Sequence, residues 1–196
     1  MRHLVITIGC EYGAKGNAIG RKIAEDLNIK FYNRDLVDEI IEEVGIPKEI
    51  MEKVEEGGTI AGKGAEGDVR GSFSKYADLT DRAIHVQKQI IRKLAEKESC
   101  VIIGRSADYI LKDRDDVLNV FIHGDMPEKT QRIMNLYNVG EKEAVKMMAD
   151  TDKRRMTNYN FYTDQKWGKT SNYTLCLNSS QLGYDRCEAI IIECAK

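Results

Sequence analysis

The chain has 196 residues, of which 42% are hydrophobic and 32% charged, which is enough for a full core, so we expect a single domain over residues 1–196. The formal net charge of −2 provides no overall field for nucleic acid or an anionic membrane, so neither is expected as a partner. No apolar run approaches the roughly 18 residues that a membrane-spanning helix needs.

The cysteines and the N-terminal segment indicate the compartment. The five cysteines are widely spaced and form no Cys-x-x-Cys pair, which argues against a zinc site. The apolar run Leu4–Ile8 is short and ends in a glycine-bearing loop, unlike a signal peptide. We therefore expect the protein in the reducing cytoplasm.

An N-terminal strand, loop and helix predict a phosphate-binding site. Leu4–Ile8 is typical of a buried strand, glycines recur over residues 9–17, and an amphipathic helix follows. The backbone amides of such a loop and the positive end of the helix attract an anion, and Lys15 adds a compact positive charge. The predicted donor-binding residues are Gly9, Tyr12, Gly13, Ala14, Lys15, Gly16 and Asn17.

The loop departs in two places from the Gly-x-x-x-x-Gly-Lys-Ser/Thr pattern of nucleotide-binding loops. Gly9 and Lys15 have the right spacing, but Ala14 stands where the second glycine belongs. Gly16-Asn17 replaces the Ser or Thr that follows the lysine. The magnesium-binding hydroxyl is missing from its usual position, so the metal ligands stay unknown. Strand–loop–helix turns of this kind also occur as plain packing connections.

Further strands and helices alternate along the rest of the chain. Continuous Val/Ile/Leu runs are typical of strands buried on both faces of a parallel sheet, and their alternation with helices predicts an α/β fold. The later strands are predicted at Lys30–Asn33, Cys100–Gly104, Leu118–His123 and Thr174–Asn178, and the later helices at Leu36–Val44, Ala83–Ala95, Pro127–Leu136, Glu141–Met156 and Cys187–Cys194. The inner face of the second helix is predicted as Leu36, Ile40, Ile41 and Val44.

A polar, glycine-rich segment at about residues 56–74 interrupts this alternation. Glycine makes a helix costly there, so we expect a mobile loop. A substrate flap, an arm of a homodimer and a tolerated surface insertion are open alternatives, because long loops are often either functional or disordered.

Arginines follow two of the predicted strands. Ligands of open α/β sheets bind outside the carboxyl ends of the strands, and a guanidinium suits phosphate. Arg34 and Asp35 after strand two and Arg105 after strand three are therefore candidate acceptor-binding residues. Asp35 has an alternative role as the N-cap of a helix beginning at Leu36, and Ser106 is a candidate cap for the helix after strand three.

A basic cluster over Thr151–Arg155 predicts a lid at about residues 151–170. Asp152 and Arg155 share one helical face, and polar aromatic residues follow the cluster. A closing lid would bring Arg154 and Arg155 onto phosphates, with Asp152 orienting either these arginines or water around magnesium. A solvated charged face is the alternative and the better interpretation of the cluster alone. Because cationic residues also follow strands two and three, we prefer the lid to the solvated face.

Seven segments carry a family resemblance: Ile8–Gly20, Phe31–Leu36, Val101–Leu111, Val120–His123, Thr151–Arg155, Lys166–Tyr173 and Leu175–Ser180. In them the chain resembles the cytidylate kinase-like family, a branch of the nucleoside monophosphate kinases. The resemblance implies a three-layer α/β/α sandwich of the P-loop NTPase type, with a five-stranded parallel sheet and a helical lid. It implies ATP and Mg²⁺ as cofactors. It places Lys15 on the donor phosphates, Arg105 at the acceptor, and Arg154 and Arg155 in the lid.

The chain also departs from the pattern of true cytidylate kinases. Ala14 and Asn17 alter the loop, Asn33 stands where an aspartate is expected after strand two, and Ser106 stands where one is expected after strand three. These positions bear on magnesium binding, cytosine recognition and catalysis.

Together these patterns predict transfer of the terminal phosphoryl group of ATP to a small phosphate-bearing acceptor, such as the nucleoside monophosphate CMP. The predicted catalytic residues are Lys15, Arg105, Asp152, Arg154 and Arg155. One alternative is a non-catalytic P-loop module that only binds a nucleotide or another anion, as the missing Ser or Thr after Lys15 suggests. The other is a small-molecule kinase with a non-nucleotide acceptor.

Overall fold

The computed structural model describes residues 3–47, 49–51 and 70–195, with the backbone alone over residues 70–79. Its centre is a five-stranded sheet in which all neighbouring strands are parallel, in the order β2-β3-β1-β4-β5. The strands are β1 (Val5–Cys10), β2 (Lys30–Tyr32), β3 (Cys100–Ile103), β4 (Val117–His123) and β5 (Leu175–Asn178). The predicted five-stranded parallel sheet is therefore confirmed.

Helices follow every strand. They are α1 (Gly16–Asp26), α2 (Arg34–Glu43), α3 (Arg70–Lys97), α4 (Ala107–Ile110), α5 (Met126–Tyr137), α6 (Glu141–Thr163), α7 (Ser179–Leu182) and α8 (Tyr184–Cys194), with a short 3-10 helix at Thr170–Asn172. None of the helices in the described ranges combines the length and apolar character of a membrane span.

Two hydrophobic clusters cover the two faces of the sheet. One face packs against α2, α3 and α4, where Ile41 and Ile91 are fully buried. The other packs against α1 and α8, where Ile23 and Ile191 are fully buried. Apolar side chains on both faces explain why the strands read as continuous apolar runs. This arrangement is the predicted three-layer α/β/α sandwich.

Strand β1 is longer than its sequence predicts. It continues to Cys10 because Gly9 and Cys10 pair with Phe121 and Ile122 of β4. Gly9 therefore lies in the strand rather than in the loop. A Cβ atom at this position would lie 3.1 Å from Cδ2 of Phe121, so close packing against an aromatic ring explains the glycine.

Two helices also extend beyond their predicted bounds. Helix α6 continues seven residues past Met156 to Thr163, so the first part of the predicted lid belongs to one long helix. Helix α3 begins at Arg70, so residues 70–74 of the predicted mobile loop are helical instead. Residues 56–69 of that prediction lie outside the described residues.

The buried face of α2 differs from the prediction. Val37 and Ile41 are fully buried, whereas Leu36 is 36% and Val44 52% exposed. The helix begins earlier than predicted because Asn33 is its N-cap, accepting a hydrogen bond from the amide of Leu36 at 3.0 Å. The alternative role of Asp35 as the N-cap is therefore wrong.

Ile41 and Val44 provide a matched test of this face. Replacing Ile41 by alanine leaves a cavity in the core and should lower the free energy of unfolding by about 2–5 kcal/mol. Val44→Ala removes an exposed side chain and should change it by less than about 0.5 kcal/mol. Urea unfolding of both variants measures the difference. Equal effects would contradict the assignment of the buried face.

Candidate functional site

The carboxyl ends of the five parallel strands lie along one edge of the sheet, where open α/β sheets bind ligands. The loop after β1 meets the segment after β5 at this edge, because the Ser179 hydroxyl donates to the carbonyl of Ala14 at 3.0 Å. The same hydroxyl lies 3.1 Å from the carbonyl oxygen of His123 at the end of β4. The edge therefore joins residues that are far apart in sequence.

The loop after β1 presents unpaired amides at the start of α1. Gly13 (φ 85°) and Lys15 (φ 60°) have left-handed backbone conformations. Arg132 and Ser179 donate to the loop carbonyls of Gly13 and Ala14. Within the described ranges, no acceptor faces the amides at positions 13, 15, 17 and 18. Such amides at a helix N-terminus form an anion-binding site.

Lys15 does not cover these amides in the structure. It is the N-cap residue of α1, and its Nζ lies 4.1 Å from the ring centroid of Tyr184 on α8. The guanidinium of Arg132 lies 5.2 Å from the same centroid. Both cations are therefore held on one aromatic ring. Asn17 is exposed at the first turn of α1, and Ala14 is buried.

Gly16 begins α1 directly against Cys10. A Cβ atom at position 16 would lie 2.6 Å from both Cβ and Sγ of Cys10, closer than packed atoms tolerate. Burial raises the pKa of the Cys10 thiol, so the group is a neutral space-filling side chain. The first helical position therefore has no room for any side chain.

Helix α6 docks on the loop through the two residues predicted to share a face. The amide of Tyr12 donates to Oδ1 of Asp152 at 2.7 Å, and Nη1 of Arg155 donates to the carbonyl of Cys10 at 2.8 Å. The two side chains form an ion pair at 3.6 Å. Burial raises the pKa of Asp152. Arg154, in contrast, is exposed and donates to the hydroxyl of Thr151 at 3.2 Å.

Three arginines meet at the edge. The pKa of Arg34 is lowered to about 10, first by burial and then by the positive charges of Arg105 and Arg155. The Arg105 side chain is only 5% exposed and pairs with Asp38 of α2. Burial raises the pKa of Asp38 despite this pairing, and Asp35 lies in the first turn of α2. The cluster concentrates positive charge, which an anion would relieve.

The turn after β3 carries an unusual backbone. Gly104, Arg105 and Ser106 all have left-handed φ angles, of 69°, 57° and 53°. Non-glycine residues rarely adopt this region, and such strain clusters at functional sites. Ser106 is the N-cap of α4 by position, but its side chain makes no capping hydrogen bond. Its predicted capping role is therefore wrong.

The sequence analysis did not identify several residues of this edge. The almost fully buried ammonium of Lys129 donates to Oε2 of Glu11 at 2.6 Å across 118 residues. The hydroxyl of Tyr159 donates to Oδ2 of buried Asp108 at 2.6 Å, which ties α6 to α4. The partners of each pair lie far apart in the sequence, so no local sequence motif predicts these contacts. Trp167 packs edge-on against Phe121 of β4, with the ring centroids 5.3 Å apart.

Magnesium fits this edge if it is coordinated mainly by phosphate oxygens rather than by a set of protein side chains. Among the residues described, no group of three or more His, Cys, Asp or Glu side chains lies close enough to hold a metal ion. Asp152 is a carboxylate in contact with the loop. Mg²⁺ is commonly bound by one or two carboxylates together with substrate phosphates, so the residues present fit it in that manner.

The contact between Gly16 and Cys10 is testable by a double-mutant cycle. Gly16→Ala should lower the free energy of unfolding by about 1–3 kcal/mol through overpacking. Cys10→Gly empties the space, so the double variant should recover part of the loss, with a coupling of about 0.5–3 kcal/mol. Urea unfolding gives the four values. Additive effects would mean that the two positions do not touch.

Asp108 gives a pH-dependent prediction. Burial raises its pKa, so above about pH 4 the unfolded chain releases a proton that the folded chain keeps. The contribution of this group to the free energy of unfolding therefore falls as the pH rises above about 4. Asp108→Asn still accepts from Tyr159 but does not titrate, so wild type should lose stability relative to it over this interval. Urea unfolding of both proteins at several pH values measures this difference. A difference between wild type and Asp108→Asn that does not change with pH would refute the prediction.

Comparisons with known proteins agree with the geometry. The sequence profile of the cytidylate kinase-like family matches residues 5–181. The crystal structure of an uncharacterized protein from Eubacterium ventriosum is 31% identical, with 98% of each chain covered and a TM-score of 0.76. The comparison with curated proteins found no match.

More distant structures share the fold. Shikimate kinase from Bacteroides thetaiotaomicron is 15% identical, with 97% of this chain and 94% of that chain covered and a TM-score of 0.52. A gluconokinase from Sinorhizobium meliloti is 17% identical, with 98% and 89% covered and a TM-score of 0.50. The family match supports nucleotide-dependent phosphoryl transfer in general, and the fold is that of P-loop kinases. Because the profile spans most of its length, the chain belongs to the cytidylate kinase-like family.

Proposed function

We propose that this chain transfers the terminal phosphoryl group of ATP to a small phosphate-bearing acceptor, of which a nucleoside monophosphate such as CMP is the first candidate. The observation that carries the proposal is the adjacency of two anion-attracting sites at one sheet edge. The unpaired loop amides form one, and Arg34 with Arg105 forms the other. Arg155 contacts the loop and acts electrostatically on Arg34. It therefore lies between the two anion-attracting sites.

The loop is the donor side of the proposed reaction. The amides at positions 13, 15, 17 and 18 would hold the donor phosphates, which needs no side chain at Gly16. Arg155 would move from the Cys10 carbonyl to the transferring group and neutralise its charge, which is the main requirement of phosphoryl transfer. Lys15 would join the donor phosphates by leaving the ring of Tyr184, and Arg154 would join when the lid closes further.

The arginines after β2 and β3 are the acceptor side. Arg105, held by Asp38, would fix the acceptor phosphate together with Arg34, and Asp35 would contact the sugar or base. An acceptor oxygen would form a bond to the terminal phosphorus while the bond from that phosphorus to its bridging oxygen breaks, so that ADP leaves. Bound Mg²⁺ supplies further positive charge to the phosphates, and Asp152 is the residue that would hold it.

Two observations favour other functions, and the assay below includes the acceptors that distinguish them. Lys15 rests on Tyr184 and position 16 has no side chain, which favours a module that binds an anion without catalysis. The names shikimate kinase and gluconokinase among the solved neighbours favour a kinase with a non-nucleotide acceptor. Both alternatives keep the donor site, and they differ in whether phosphoryl transfer occurs and to which acceptor.

A coupled assay of ADP release with the full chain tests the proposal. It is run with ATP and Mg²⁺ against the four ribonucleoside monophosphates, shikimate and gluconate. Turnover with a nucleoside monophosphate is the expected result. Turnover only with shikimate or gluconate would select a non-nucleotide acceptor. ATP binding without turnover on any acceptor, in a folded sample, would contradict the enzymatic function.

Arg155 and Arg154 form a matched pair of variants. Arg155 contacts the loop, whereas its neighbour Arg154 is exposed. Arg155→Ala should reduce kcat by about 100-fold or more, the cost of losing one positioned charge that stabilises the transition state. Arg154→Ala should reduce it by less than about tenfold. Steady-state kinetics on the acceptor found above measures both, and equal effects would contradict the role given to Arg155.

A further inference from the structure

A buried ion pair between Lys129 and Glu11 lies beside the loop after β1. The side chain of Lys129, in the first turn of α5, is only 5% exposed, and its ammonium donates to Oε2 of Glu11 at 2.6 Å. The same oxygen accepts from the amide of Gly124 at 3.3 Å. A lysine is almost never buried unless it is paired. The pair therefore joins the loop to the turn between β4 and α5.

Glu11 is the first residue of the turn that exposes the Gly13 amide. The amide of Glu11 donates to the carbonyl of Ile122 at 3.0 Å, and its carbonyl accepts from the amide of Ala14 at 3.1 Å, which closes a four-residue turn. Gly13, the third residue, has a φ angle of 85°, which is typical of a type II turn. The position of Glu11 therefore sets the direction in which the Gly13 amide points.

The aliphatic part of Lys129 packs against the same turn. A Cβ atom at Gly13 would lie 3.2 Å from Cβ and 3.5 Å from Cγ of Lys129. A Cβ atom at Gly124 would lie 3.4 Å from the same Cγ. One side chain, anchored on a helix, thus contacts the third residue of the turn and binds the side chain of its first. Such support from a rigid element is what holds a binding group in place.

The pair also balances the charge beside the loop. The Glu11 side chain is 29% exposed, so without its partner this carboxylate would repel a phosphate bound at the loop. Burial raises the pKa of Asp152, and among the smaller effects the charge of Lys129 lowers it and the charge of Glu11 raises it. Both charges therefore act on the carboxylate that docks on the loop, and together they largely cancel.

We propose that Lys129 and Glu11 are positioning residues for the donor phosphates, because their ion pair holds the turn over residues 11–14 with the Gly13 amide free to bind a phosphate oxygen. The proposal rests on the proposed function for the identity of this loop as the donor site. The ammonium of Lys129 is occupied by Glu11, so it acts on the phosphates through the turn rather than by contact. Loss of the pair should therefore weaken binding of the donor and not of the acceptor.

Calorimetric titration of the full chain with ATP and Mg²⁺, below the unfolding temperature of every variant, tests the proposal. Lys129→Met keeps most of the aliphatic stem and removes the ammonium, so it should weaken ATP binding by at least about tenfold through misplacement of the turn. The double variant Lys129→Met, Glu11→Gln carries no unpaired charge. It should still bind ATP at least about fivefold more weakly than wild type, because the turn has lost its anchor.

Arg114→Met is the matched control. Arg114 pairs with Asp116 at 2.6 Å just before β4 begins, which places this ion pair at the opposite edge of the sheet. Its loss should lower the unfolding temperature and leave the ATP affinity within about twofold of wild type, as expected for independent sites. A loss of affinity equal to that of Lys129→Met would mean that ATP binding follows general stability, and it would overturn the proposal.

The double variant separates positioning from charge. Wild-type ATP affinity in this variant would mean that Lys129 only cancels the charge of Glu11, and the proposal would then be wrong. In the assay of ADP release the same variant should raise the KM for ATP and leave the KM for the acceptor unchanged. An equal rise in both would contradict positioning of the donor.

The two proposals fail in different ways. Absence of ATP binding in wild type would overturn the proposed function together with this proposal. ATP binding that wild type and the double variant share equally would overturn this proposal alone. Should Lys129→Met not fold because Glu11 is left unpaired, the double variant decides by the same criterion, since replacing both partners of a buried pair is far better tolerated than removing one.

Discussion

The docking of α6 on the loop after β1 is the interaction on which the candidate site depends. The Tyr12 amide donates to Asp152, and Arg155 donates to the carbonyl of Cys10. Both bonds use backbone groups of the loop, so they fix its path whatever side chains it carries. These bonds also hold Arg155 beside the loop, where its positive charge acts on Arg34.

The far end of the same helix is fixed separately. Tyr159 donates to buried Asp108 of α4, and burial raises the pKa of both groups. Trp167 and Tyr173, beyond the helix, pack on Phe121 of β4 at 5.3 and 5.0 Å. Anchors at both ends leave the middle of α6, with Arg155, facing the edge of the sheet.

The sequence reveals the fold and the location of the site but not the direction of its side chains. Continuous apolar runs predict the parallel sheet, and a parallel sheet brings Arg34 and Arg105 to one edge. The loop spacing indicates an anion site at the start of α1. The position of Lys15 over Tyr184 depends on a helix more than 160 residues away, and no spacing rule covers such a contact.

The central claim is that loop amides hold the donor phosphates and that Arg155 supplies a cation to the terminal phosphate, while Lys15 rests on the ring of Tyr184. A crystal structure with a non-hydrolysable ATP analogue and Mg²⁺ tests it most directly. The account predicts phosphate oxygens within hydrogen-bond distance of the amides of Gly13, Lys15 and Asn17, with the guanidinium of Arg155 turned from the Cys10 carbonyl to the terminal phosphate. A triphosphate bound elsewhere, or held at the loop with Arg155 still on Cys10, would contradict it.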